Sequence, residues 1–114
     1  MTDFVRTEFA WGSIEWLAGA EVGNSRELSV ARMSLPSGNE TDAHAHDNCE
    51  ESVFVLQGEL ECVTADASVR LAAGAHTIVP RGSIHLLRSI GSDSAEVLLS
   101  YSSSERAFRI AASS

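Results

Sequence analysis

Basic side chains are scarce in this sequence: eight lysine and arginine residues stand against sixteen aspartates and glutamates, a formal charge of −8 over 114 residues. A balance this acidic repels phosphate backbones and anionic lipid, so neither nucleic acid nor a membrane surface is expected as a partner. No apolar run approaches the roughly 18 residues of a membrane span. The opening Met1-Thr2-Asp3-Phe4-Val5-Arg6 also lacks the apolar stretch of a secretory leader, and a cytoplasmic location is the expectation. There is no basic helix-turn-helix region, no internal repeat and no linker, and no segment carries a convincing helical period. Cysteine is limited to Cys49 and Cys62. If residues 51–57 and 60–66 form a hairpin about Gly58-Glu59, Cys62 falls near Val55, far from Cys49, and no disulfide is expected.

What is present describes an ordinary folded chain. Hydrophobic residues make up 44% and charged residues 21%, values that exclude disorder. The length fits a single domain, 1–114, and is too short for two cores. Short apolar segments recur between turn residues: Phe9 to Leu17, Leu28 to Leu35, Ser52 to Gln57, Leu60 to Thr64, Ser68 to Leu71, Thr77 to Val79, Ile84 to Ser89 and Ala95 to Tyr101. Many short strands spaced roughly 8–12 residues apart predict an all-β sandwich or barrel. In the last of them Ala95, Val97, Leu99 and Tyr101 alternate with Ser94, Glu96, Leu98 and Ser100, so one face is the more buried.

The chemistry-bearing residues are His44-Ala45-His46, then Glu50-Glu51, and His85 some forty residues later. Residues i and i+2 of an extended segment project to one side, so His44 and His46 can reach a common ion. Imidazoles with a carboxylate suit a divalent transition metal. Glu51 opens the apolar run 52–57, while His85 follows the turn Pro80-Arg81-Gly82-Ser83. Ligands on separate strands require a closed or sandwiched sheet to bring them together.

The run Gly38-Asn39-Glu40-Thr41-Asp42-Ala43-His44-Ala45-His46-Asp47-Asn48-Cys49-Glu50-Glu51, continuing to Gly58, resembles the first cupin motif. Residues Gly74 to Pro80-Arg81-Gly82, His85 and Ser89 resemble the second, with Ser89 where the motif has asparagine. That departure touches no ligand position but bears on a local turn. The resemblance, carried by residues 38–58 and 74–89, implies a double-stranded β-helix, the cupin jelly-roll barrel, with one divalent ion (Fe, Mn, Ni, Zn or Cu) held inside by His44, His46, Glu51 and His85. It selects Glu51 over Glu50 by its distance to Gly58, and neighbours on a strand face opposite ways.

Three-histidine, one-carboxylate sites leave positions open for dioxygen, water or substrate. The resemblance therefore implies an enzyme acting on a small organic molecule, with dioxygenase chemistry placed first. Lewis-acid isomerase, lyase or cyclase chemistry is the alternative, and a non-catalytic binding module is a third. An acid or base beside the metal is sought among Cys49, Glu50, His76 and Tyr101. Cys49 is read as a small buried thiol, with a redox-sensitive or substrate-facing role as the alternative. Arg32, Arg81 and Arg88 are read as solvent-exposed, or else as an anion clamp. Phe4, Phe9, Trp11 and Trp16 cluster early in the chain, as core or edge-strand packing or as a self-association surface. Small cupins commonly dimerise through terminal strands, which implies a homodimer. The serine-rich tail from Ser102 is expected to fray at its end.

Overall fold

The computed structural model describes residues 5–111, so Phe4 and the final three residues, where fraying is expected, lie outside the described part. Eleven strands and no helix are formed there: β1 (Val5–Phe9), β2 (Gly12–Ala18), β3 (Ser29–Leu35), β4 (His44–Ala45), β5 (Glu51–Gln57), β6 (Glu59–Thr64), β7 (Ser68–Ala72), β8 (His76–Val79), β9 (His85–Ser89), β10 (Ala95–Tyr101) and β11 (Arg109–Ile110). No helix is therefore long and apolar enough to cross a membrane.

The strands make two antiparallel sheets, ordered β1-β2-β3-β10-β5-β8 and β11-β4-β9-β6-β7. This is the double-stranded β-helix that the motifs imply. Its interior is built by strict alternation: Ala95, Val97, Leu99 and Tyr101 of β10 are buried while Glu96, Leu98 and Ser100 are only partly so, as the sequence pattern predicts. Met33, Leu35, Leu60, Leu87, Val53, Val55 and Val97 are fully enclosed between the sheets. Each such side chain contributes about 1.5–3 kcal/mol of apolar burial, so the sandwich rather than any local propensity holds the site in place.

Two expectations are corrected. The segment Phe9 to Leu17 is not one strand. The chain turns back at Ala10-Trp11, and β1 pairs with β2 from Phe9↔Gly12 to Val5↔Trp16. A Cβ on Gly12 would sit 2.2 Å from the Ser34 carbonyl oxygen, so glycine is what lets this turn lie against β3. Nor do residues 51–57 and 60–66 form a hairpin. β5 pairs with β10 and β8, while β6 pairs with β7 and β9 in the opposite sheet. Gly58, at φ +84°, sends the chain across the sandwich, a conformation in which glycine carries no steric penalty. The cysteine conclusion survives: Cys49 and Cys62 are both buried and both free.

Beyond β10 the chain does not trail into solvent. Residues 102–111 run as a strap across one end of the barrel. Ser102 N–H donates to Glu50 O, Asn48 Nδ2 donates to Glu105 O, Ala107 N–H donates to Asn48 Oδ1, and β11 pairs with β4.

Candidate metal centre

β4 and β9 are neighbours, and His44 and His85 are cross-strand partners. β5 begins at Glu51, which lies between Tyr101 of β10 and Val79 of β8. His46 follows β4 by one residue, and the turn at Gly82 donates its N–H to the His46 carbonyl, joining the two motif segments directly. Each of the four residues offers one ligand atom, and these atoms all lie within 4.8 Å of one another, a group that could hold a metal ion. Glu51 and His85 are buried, and Glu50 is exposed, so the choice between adjacent acids follows the strand alternation.

The histidines are oriented from behind. His44 Nδ1 faces Asp42 O at 2.6 Å, His46 Nδ1 faces Ala107 O at 2.9 Å and His85 Nδ1 faces Ser83 O at 2.9 Å. A carbonyl can only accept, so each Nδ1 carries the proton and each Nε2 is the nitrogen left for the interior. Backbone anchoring of this kind fixes the tautomer of a metal-binding imidazole. His85 Nε2 lies 3.0 Å from Glu51 Oε1, while His46 Nε2 lies 3.4 Å from the same oxygen. The His46 contact is poorly aligned, and this buried nitrogen has no hydrogen-bond partner. A buried, unpaired lone-pair donor beside a carboxylate and two further imidazoles is the arrangement a divalent cation completes.

The charges in the cluster are strongly coupled. Burial pushes the Glu51 carboxyl up, but the close His46 and His85 imidazoles outweigh it and hold its pKa at about 2. Burial opposes charge on His85 as well, yet the Glu51 hydrogen bond and charge raise its pKa overall. His44, without such a partner, is lowered chiefly by burial. The Tyr101 phenol is raised well above its ordinary value by burial and then by the Glu51 charge, so it stays protonated beside the cluster.

The cluster forms the floor of a cavity of about 350 Å³, walled by Trp11, Ile14, Trp16, Met33, Leu87, Leu99 and Tyr101 and rimmed by Phe9, Phe108 and Ile110. Phe9 and Trp11 stack at 4.5 Å, and Phe108 stacks over His44 at 5.1 Å. The early aromatics other than Phe4 therefore line the cavity, rather than acting only as core or edge packing. Arg106 reaches in from the strap. Its guanidinium lies 3.5 Å from the Trp16 ring centroid and pairs with Glu21.

Tyr101 alone of the candidate acids and bases borders both cavity and cluster. His76 is on the outer face of its sheet, 2.7 Å from Ser52 Oγ. Cys49 is buried without lining the cavity, and burial raises its pKa, which removes thiolate character. Arg32 pairs with Glu96, and Arg88 pairs with Glu40 and Glu61, both on the outside, while Arg81 is exposed in its turn. None of the three faces the cavity. Sequence reasoning missed Arg106 and Phe108, for which the alternation of Phe108 and Ile110 was the one signal. At Ser89, the departure from the motif, the hydroxyl has no hydrogen-bond partner. The loop is held instead by backbone bonds, Ser89 N–H to Asn39 O and Gly38 N–H to Ser89 O.

Comparison with known proteins agrees with this fold. Germin-like protein 3-1 of Oryza sativa subsp. japonica is 32% identical over 82 residues, covering 68% of this chain and 36% of its own. Bacillus subtilis oxalate decarboxylase, studied for its Mn(II) centres, superposes with a TM-score of 0.82 at 18% identity over 90% of this chain and 29% of its own. A double-stranded β-helix protein of Klebsiella pneumoniae superposes with a TM-score of 0.80 at 18% identity, over 96% of this chain and 91% of its own. The chain spans less than half the length of the curated relatives it matches. The family model described as a cupin domain matches residues 31–101, most of the strands and every residue of the cluster, and the chain belongs to that family.

Proposed function

We propose that this cupin is a metal-dependent oxidoreductase of the dioxygenase type, with His44, His46, Glu51 and His85 holding one divalent transition-metal ion at the floor of an apolar cavity. The observation that carries the reading is the set of three Nδ1 atoms anchored on backbone carbonyls, which leaves three Nε2 atoms and a carboxylate to converge within 4.8 Å. Bound there, a redox-active ion would supply dioxygen activation, and a redox-inert one would supply Lewis acidity.

The chain's own residues do the rest. Trp11, Trp16, Leu87 and Leu99 exclude water from above the cluster, which strengthens every charge interaction inside it. Tyr101 holds a proton beside the carboxylate and can donate a hydrogen bond to an oxygen placed there. A second reading, a Lewis-acid isomerase or lyase, uses the same four ligands, with the Tyr101 hydroxyl, which borders both cavity and cluster, as hydrogen-bond donor to a substrate oxygen. The neighbouring oxalate decarboxylase, with its Mn(II) centres, supports a redox metal on this fold. A homodimer belongs to the same proposal: all five residues of β1 are exposed, and β1 is the edge strand of its sheet. So does a cytoplasmic location, with which two unbridged cysteines are consistent.

Elemental analysis of protein isolated without chelators or a nickel column tests the centre, with about one ion per chain expected. Absence of metal even after reconstitution would overturn it. Oxygen uptake with a panel of enols and catechols separates the two chemistries, since only the dioxygenase consumes oxygen in step with substrate.

A further inference from the structure

From the charge and shape of the cavity we infer that its substrate is a small, planar, predominantly apolar molecule, aromatic or conjugated, and not a dicarboxylate such as the oxalate of its structural neighbours. The inference rests on the metal-dependent reading for where the substrate's oxygen atoms go. The walls are independent of it.

The volume, about 350 Å³, is that of a small-ligand pocket, far more than a two-carbon dianion fills. The walls and rim are aromatic rings and alkyl groups: Trp11, Trp16 and Phe108 with Ile14, Met33 and Leu99. Flat aromatic surface of this kind stacks on a flat apolar partner and offers nothing to a hydrated anion.

Charge decides more sharply. Sequestering a dianion requires cations to replace its water, and with Glu51 as a ligand a divalent ion at the centre would leave only about one net positive charge to do so. The chain contains no lysine. Of its eight arginines only Arg106 lines the cavity. That guanidinium is already occupied: two of its nitrogens face the Glu21 carboxylate and its plane lies over Trp16. Arg32, Arg88 and Arg109 are held by acids elsewhere on the surface. The remaining charges that border the cavity, Asp42 and Glu51, are negative. Arg106 is thus an arm of the wall, its charge cancelled, and away from the metal the cavity is left to an uncharged ring.

Calorimetric titration of the metal-loaded protein with 4-methylcatechol, 2-naphthol and sodium oxalate tests this. Both aromatic compounds should bind at least tenfold more tightly than oxalate. Trp11→Ala and Ile14→Ala should each weaken 2-naphthol severalfold while leaving metal content unchanged. Oxalate binding as tightly as 4-methylcatechol, or 2-naphthol affinity indifferent to both substitutions, would overturn the inference. Repeating the 2-naphthol titration after chelation separates the two readings. If the protein proves to hold no metal, the proposed centre fails, yet retained 2-naphthol binding still supports the apolar wall and lost binding in the folded protein refutes it.

Discussion

The carbonyl oxygen of Ala107 accepts the Nδ1 proton of His46 at 2.9 Å, although 61 residues separate them. A residue of the strap therefore sets the orientation of an imidazole in the cluster. The strap itself is tied to the histidine loop by Asn48, which donates to Glu105 O at 2.7 Å and accepts from Ala107 N–H at 2.8 Å.

Asn48→Ala should loosen that arrangement without unfolding the barrel, because Asn48 is exposed and both of its bonds are to the strap. Loss of a supporting bond behind a ligand typically weakens metal binding by about 10–100-fold. Chelator competition should show a loss of that order, with a melting temperature close to that of the parent protein. Undiminished affinity would show that the strap is dispensable for His46.

His46→Ala and Glu51→Ala should each remove most of the bound metal. His76→Ala, on the outer face, should remove none. Elemental analysis of the three variants checks this directly. Equal metal in all of them would disprove the ligand assignment.

The metal-free protein should show a stability maximum in mildly acidic solution. Glu51 has its folded pKa lowered from 4.5 to about 2, so its contribution is present above about 4.5 and is lost as pH falls toward 2. The folded pKa of His85 is raised above 6.5, so its contribution is complete below that value and fades as pH rises through the folded pKa. Unfolding midpoints of chelated protein should peak between these limits, and Glu51→Gln should flatten both arms. A midpoint that is level from pH 3 to 9 would contradict the coupling. Metal occupancy should fall as pH drops below about 6, since imidazole binds only when neutral.

Gly58→Ala should destabilise the fold by about 1–3 kcal/mol, the range for a residue forced into a sparsely populated backbone region. The position has φ +84°, and an added Cβ would lie 2.7 Å from the Ser94 carbonyl oxygen. Denaturant unfolding measures the loss. A change under a few tenths of a kcal/mol would mean that the crossover adapts.

Much of this structure can be read before it is seen, and the division has a physical basis. Strand β10 announces itself because its alternation lies in its own residues, and Glu51 separates from Glu50 by the same alternation. The four clustered residues are legible through motif spacing. What is hidden is non-local. Nothing near Gly58 tells whether β6 returns to β5 or crosses to the other sheet, because that choice depends on partners distant in sequence. β4 and β11 are two residues each, too short for any periodicity. Arg106 looks like one more surface cation in a serine-rich tail until Trp16 and Glu21, each more than eighty residues earlier in the chain, are placed around it.

Trp11 and Trp16 are the only tryptophans in the chain, and both border one cavity. Near-ultraviolet emission from the folded protein is accordingly a signal from that chamber alone, free of background from the remainder of the barrel. Entry of water, departure of the strap and quenching by a paramagnetic ion should each perturb that emission, so the protein carries its own optical label for the space in which its chemistry would take place.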